Sequence, residues 1–143
     1  MKVSTIMGGM SREVITTNPD ATLLDVVETL REHRIGCIVV IDGKRGIAGI
    51  VSERDVVRAI AASGADILNS PASGCMTRKV VTCALDDTID TIMAKMTEGR
   101  FRHMPVVEDG KLVGLISIGD VVKLRIEQAE QEASAMRNYI ATG

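Results

Sequence analysis

The 143 residues carry 17 Lys and Arg against 19 Asp and Glu, with 45% hydrophobic and 25% charged residues, the balance of a globular chain with no broad attraction for polyanions or membranes. Only Phe101 and Tyr139 are aromatic, so a stacking platform for single-stranded nucleic acid is missing. Cys37, Cys75 and Cys83 form no CxxC and His33 and His103 are the only imidazoles, which leaves a disulfide framework and a zinc site without ligands.

The longest apolar run, residues 35–41, is far too short for a bilayer, and no apolar signal-peptide stretch follows Met1-Lys2-Val3-Ser4. A reducing cytoplasm is the expected location. Residues 1–13 read as a lead-in segment. A first unit then runs over residues 14–62. It opens on a β-branched stretch, residues 14–17. Leu23, Val26, Val27 and Leu30 follow at the i, i+3, i+4, i+7 spacing of one helix face, with Thr22 and Asp25 placed to cap it. Residues 37–41 predict an apolar strand, and the turn Asp42-Gly43-Lys44-Arg45-Gly46 leads to a second strand over 47–51. A second helix is predicted from just after Ser52. Gly43-x-x-Gly46-x-x-Gly49 lacks the spacing of a dinucleotide loop and runs into a strand, so it reads as a turn.

Residues 63–77, rich in Ser, Gly, Asn and Pro, read as a linker. A second unit over 78–127 repeats the first. Val14-Ile15-Thr16 returns 66 residues later as Val80-Val81-Thr82, and Asp20-x-Thr22-Leu23 as Asp86-x-Thr88-Ile89. Gly49-Ile50-Val51-Ser52-x-x-Asp55-Val56-Val57 returns 65 residues later as Gly114-Leu115-Ile116-Ser117-x-x-Asp120-Val121-Val122. The lost residue falls in the turn Glu108-Asp109-Gly110-Lys111, where an indel is cheapest. Residues 80–83 predict a strand, Ile89, Ile92, Met93 and Met96 a helix face, and 104–107 and 112–116 two strands. The order is β-α-β-β-α, twice. About fifty residues with one apolar sheet face cannot close a core alone, so a mixed α/β fold is expected, with the two units packed sheet to sheet about a pseudo-twofold axis.

Residues 128–143 extend the last helix. Val122, Ile126, Ala129, Ala133, Met136 and Ile140 are spaced 4, 3, 4, 3, 4, the 3.5-residue stripe of a helical seam. Packing on its own domain and a dimer contact both satisfy this stripe.

The chemistry sits at the strand-to-helix junctions. Ser52 with Asp55, and Ser117 with Asp120, open helices whose N-termini offer free N–H groups and a positive dipole end to a phosphate. A carboxylate there accepts hydrogen bonds from a ribose diol. Ser-x-x-Asp is equally a capping box; its recurrence at the same junction in both units is what points to a ligand. Arg54 adds a cation in the first unit, where the second has Gly119. Arg100-Phe101-Arg102-His103-Met104-Pro105 brings charge before a strand, whereas the matching Ile35-Gly36-Cys37 brings none, so the two sites are expected to differ. No nucleophile–base–orienter arrangement is visible, so no enzyme activity is expected.

The doubled Gly-x-x-Ser-x-x-Asp, together with Arg-His-x-Pro-Val, resembles a tandem pair of cystathionine-β-synthase (CBS) domains, a Bateman module. The resemblance covers nearly the whole chain. It implies a regulatory, signal-transducing module that binds AMP, ADP or ATP between the repeats, or another adenosyl ligand such as NAD(H) or S-adenosylmethionine. It implies that Asp55 and Asp120 hold ribose hydroxyls, and that Ser52, Arg54 and Ser117, with Gly119 beside them, lie near phosphate. Thr16, Thr17, Thr82, Cys83, Ile35, Gly36, Cys37, Ile38, Phe101 and Met104 would line the base, with Ile50, Leu115 and Pro105 alongside, and Arg102 and His103 would meet phosphates. It further implies a homodimer and a separate protein target, with no nucleic acid or membrane among the partners. A stand-alone relative of a nucleotide dehydrogenase's regulatory domain, itself inactive, is a further expectation.

Overall fold

The computed structural model describes residues 1–8, 14–43 and 46–142; residues 9–13 of the expected lead-in, Lys44-Arg45 of the first turn and Gly143 lie outside them. The elements run α1 (Val3–Gly8), β1 (Thr16–Thr17), α2 (Leu23–His33), β2 (Cys37–Asp42), β3 (Gly46–Ser52), α3 (Glu53–Ser63), α4 (Ile89–Gly99), β4 (His103–Glu108), β5 (Lys111–Ser117) and α5 (Ile118–Thr142). Short 3-10 turns at Ala65–Asn69 and Ala72–Gly74 fill the middle of the chain. The mixed α/β class is as the sequence implies, and the order β-α-β-β-α recurs in the second unit except for its opening strand.

The helix faces read from spacing are the buried ones. Leu23, Val26 and Leu30 of α2 pack with Ile38, Val40, Val51, Val56 and Ala72 in one core cluster. Ile89, Ile92 and Met96 of α4 pack with Met104, Val106, Ile116 and Val121 in the other. Thr22 caps α2 through a reciprocal box with Asp25. Both helices end on arginines in the left-handed region, Arg34 (φ 54) and Arg100 (φ 55), where glycine is the usual occupant.

The first sheet has the order β1-β2-β3, with β1 parallel to β2 and β2 antiparallel to β3. The second holds only β4 and β5, antiparallel, closed by a turn with Asp109 (φ 51) and Gly110 (φ 76). The strand expected over 80–83 is reduced to one parallel bridge, Cys83 to Val106. Cys83 N donates to the Pro105 carbonyl at 3.0 Å and its carbonyl accepts from Val107 N at 2.9 Å. The next rung would need an N–H from residue 105, and proline has none.

The segments that precede each repeat pack on the other one. In the stretch read as a lead-in, α1 buries Val3 and Ile6 in the second core, and Val3 N and Ser4 N donate to the carbonyls of Asp87 and Leu85 at 2.9 and 3.0 Å. In the stretch read as a linker, Ala72 is fully buried in the first core, and its N–H donates to the Ala21 carbonyl at 2.7 Å. Thr77 continues this exchange, pairing with Ile50 in β3 through bonds of 3.0 and 2.9 Å. Both connections are folded parts of the core, because the apolar face of each repeat is left open without them.

Candidate functional site

The β3–α3 junction is built on a capping box. Ser52 N and Ser52 Oγ donate to Asp55 Oδ2 at 2.8 and 3.0 Å, and Asp55 N donates to Ser52 Oγ at 3.2 Å. The other carboxylate oxygen, Oδ1, accepts from Thr77 Oγ1 at 3.3 Å. One oxygen of Asp55 therefore serves its own main chain, while the second faces the crossing segment around Thr77. The β5–α5 junction repeats the box: Ser117 N and Ser117 Oγ donate to Asp120 Oδ2 at 3.0 Å each, and Asp120 N donates to Ser117 Oγ at 3.2 Å.

A cleft of about 650 Å³ opens beside Asp55, within the range of roughly 300–1,000 Å³ usual for small-molecule sites. It brings together Gly36, Cys37, Ile50, Ser52, Arg54, Asp55, Phe101, Arg102 and His103 from the residues singled out in the sequence. Arg54 lies on the exposed first turn of α3, and Arg58 follows one turn later on the same face. Lys79 arrives from the crossing segment, and the αL end of α4 delivers Arg100, Phe101 and Arg102. Five cationic side chains thus face two carboxylates, Glu53 and Asp55. Val80, Val81 and Phe101 add an apolar wall.

The other residues singled out lie elsewhere. Thr16 borders a separate hollow of about 430 Å³ between the hairpin tips, and Thr17 is its neighbour in β1, paired with Val40. Ile35 borders a groove between α2 and α3. Ile38 and Met104 are fully buried in the two cores, and Pro105 is buried in β4, paired with Leu115. Thr82 is exposed, while Cys83 is buried with its thiol 3.7 Å from the Pro105 carbonyl. Ser117, Gly119 and Asp120 form the opening of α5 and do not border the cleft. Sequence reading missed Arg58, Lys79 and Thr77. The helical spacing from Arg54 marks the first; the others sat at the edge of a stretch read as linker.

His103 stands between the two junctions. It pairs across the hairpin with Ser117, lines the cleft, and its ring lies where a Cβ on Gly36 would come within 3.5 Å. Burial lowers its pKa below the usual imidazole value, with Glu53 and Asp120 pulling upward and Arg102 downward. Cys37, at the cleft floor, is pushed up to about 12 by burial and by Asp55, so its thiol is inert as a nucleophile. Among the described residues no group of three or more His, Cys, Asp or Glu is placed to hold a metal, and no helix is long and apolar enough to cross a membrane.

Comparison with known proteins gives a consistent answer. Residues 3–62 and 72–127 match the CBS domain family model. A curated relative, the mitochondrial CBS domain-containing protein CBSX3 of Arabidopsis thaliana, is 32% identical over 128 residues. That match takes in 87% of this chain but only 62% of the relative's length. The crystal structure of the CBS-domain protein ATU1752 from Agrobacterium tumefaciens superposes with a TM-score of 0.84 at 45% identity, over 87% of this chain and 99% of that one. The CBS pair of protein MJ0100, solved in complex with 5′-methylthioadenosine and S-adenosyl-L-methionine, superposes with a TM-score of 0.76 at 25% identity, over 87% of this chain and 98% of that one.

Proposed function

Because the chain belongs to the CBS-domain family, as two repeats in tandem, we propose that it is a regulatory module that binds an adenosine nucleotide in the cleft beside Asp55. One observation carries the reading. A carboxylate with one oxygen directed at the crossing segment stands at a helix N-terminus, in a cleft where five cations outnumber two acids. Asp55 Oδ1 takes the ribose hydroxyls in exchange for its long bond to Thr77. Arg54, Arg58, Lys79, Arg100 and Arg102 take the phosphates, and the apolar wall takes the base. This charge pattern favours ADP or ATP over AMP, and disfavours the sulfonium of S-adenosylmethionine. The module acts by binding, without catalysis, and its target is a separate protein in the cytoplasm.

Calorimetric titration with AMP, ADP, ATP, NADH and S-adenosylmethionine tests this directly. Affinity is expected to rise with phosphate number and to fall with added salt. Asp55→Ala should cost about 1.5–3 kcal/mol, roughly 10- to 150-fold in Kd, for the lost charge-assisted bond. Saturable binding by none of the five ligands overturns the reading.

A second reading has its own support. MJ0100 was solved with S-adenosyl-L-methionine and 5′-methylthioadenosine, ligands without phosphate. If this chain takes them, they suit the Asp120 junction, where Gly119 stands in place of Arg54. Binding of S-adenosylmethionine that survives Asp55→Ala and is lost in Asp120→Ala would establish it.

A further inference from the structure

His103 touches two helix openings at once. Its side chain lines the cleft beside Asp55, and its ring and the Glu53 carboxyl carbon stand 3.5 and 3.8 Å from the point a Gly36 Cβ would occupy. Its main chain belongs to the other opening. His103 pairs across the hairpin with Ser117, and the Arg102 carbonyl accepts from Ile118 N, at the first residue of α5, at 2.8 Å. Residues directly opposite in an antiparallel pair carry their side chains on the same side, with Cβ atoms about 4.5–5.5 Å apart. Ser117 Oγ donates to Asp120 Oδ2 at 3.0 Å. The Asp120 carboxylate and the His103 imidazole are therefore neighbours on one side of the hairpin, although Asp120 does not border the cleft.

The first repeat has the same frame without the charge. Cys37 pairs with Ser52, and the Gly36 carbonyl accepts from Glu53 N at 3.0 Å. The Cys37 thiol, held up at about 12, stays neutral, so it relays no charge between openings. In the second repeat the matching residue is a half-buried imidazole. Burial favours its neutral form; Glu53 from α3 and Asp120 from α5 draw it towards the cation, and Arg102 on the same hairpin opposes them. The other charges of the cleft are Arg54, Asp55 and Arg58 on α3, Lys79 on the crossing segment and Arg100 at the end of α4. The ring thus stands among the groups that receive phosphate in the reading above, while Asp120 acts on it from outside them.

We propose that Asp120 is a positioning residue for the opposite cleft: acting through His103, its charge strengthens the hold on phosphate beside Asp55. The proposal rests on the nucleotide reading of that cleft and makes the two openings interdependent. An anion at the β5–α5 junction keeps the ring a cation, available to phosphate. A ligand that neutralises Asp120, or a cation placed beside it, leaves the ring neutral and loosens the nucleotide; by linkage, the nucleotide then loosens that ligand by the same factor. Direct repulsion between Asp120 and phosphate is the weaker effect, because Asp120 stands outside the cleft whereas the ring lines it.

Proton NMR titration of the two imidazoles, His33 and His103, reads the relay directly, with His103→Gln assigning the signals. Asp120→Asn removes the charge and keeps an oxygen to accept from Ser117 N. Gly119→Arg adds a cation at the same opening, in the place that Arg54 takes in the first repeat; a Cβ there would stand 3.6 Å from Ser117 Oγ, an ordinary contact. Each is expected to lower the His103 midpoint by roughly half a pH unit, the size of a partly screened ion pair, and to leave His33 unmoved. In the unmodified chain ATP is expected to raise the His103 midpoint, and in Asp120→Asn the pH at which ATP affinity falls off should move down. A His103 midpoint unmoved in each variant that folds overturns the proposal. So does an ATP affinity lowered equally at every pH, the mark of a merely structural loss at the α5 opening, or a profile that stays in place while the ring's midpoint falls. A His103 resonance that ATP never moves overturns the cleft reading and the proposal with it, which keeps the two failures apart.

Discussion

Gly49→Ala tests whether the segment that crosses between repeats is held as tightly as the geometry indicates. A Cβ at Gly49 would fall 2.6 Å from Met76 Sδ and 2.9 Å from the Thr77 carbonyl oxygen. Met76 has three rotatable bonds and can move. The Thr77 carbonyl cannot move cheaply, because it accepts from Ile50 N at 3.0 Å while Thr77 N donates back at 2.9 Å. The added methyl must break this pair or bend β3. Overpacking of this kind costs about 1–3 kcal/mol, and the backbone contact puts Gly49→Ala in the upper half of that range. For a chain of this size each kcal/mol lowers Tm by roughly 2–4 °C, so a fall of about 4–12 °C is expected. Gly114 is the same position in the second repeat, and its two tightest neighbours are side-chain atoms of Met7, so Gly114→Ala should stay within about 1 kcal/mol of the parent. Urea melts of both variants supply the comparison. Equal destabilisation, or none at Gly49, would refute the argument that backbone contact decides the cost.

Other expectations are independent of that one. Arg34→Gly should relieve a left-handed residue and stabilise the chain by about 1 kcal/mol in thermal melts, whereas Arg100→Gly should gain similarly but lose nucleotide affinity, because Arg100 borders the cleft. The His103 imidazole has its pKa lowered in the folded state, so the folded chain prefers it neutral. Its contribution to stability is then present above the unfolded pKa near 6.5 and lost as pH falls through the lower folded value. Thermal melts between pH 7.5 and 5 should show this loss, and His103→Gln should flatten it. Bound polyphosphate adds negative charge beside the ring, so nucleotide binding should take up a proton, readable by calorimetry in buffers of different ionisation heat. A thiol titration at pH 8 should register Cys75 first, with burial holding Cys37 at about 12 and Cys83 at about 11.

What the sequence revealed is what depends on local periodicity. The i, i+3, i+4, i+7 sets of α2 and α4, the caps at Thr22, Ser52 and Ser117, and the paired strands all follow from residues within a dozen positions of one another. The strand expected over 80–83 failed against one distant residue, Pro105, whose missing N–H stops the ladder. The contributions of α1 and of Ala72 were hidden for a similar reason. Their partners, Leu85 and Asp87 for α1 and Ala21 for Ala72, lie some fifty to eighty positions away, and polar, glycine-rich surroundings imitate a linker. In the site, the recurrent Ser-x-x-Asp was legible as a cap and as a candidate anchor. The cation count was not, since Lys79 and Arg100 reach the cleft only after the repeats have packed together.

The exchange of leading segments bears on how the molecule is made. Helix α1 is synthesised well before the carbonyls of Leu85 and Asp87 that receive it, and before the rest of the core it joins, several seconds earlier at about 5–20 residues per second. Until then Val3 and Ile6 have no home, and neither repeat is whole. Splitting the gene near its midpoint should therefore give two fragments that are each insoluble and that recover only when co-expressed.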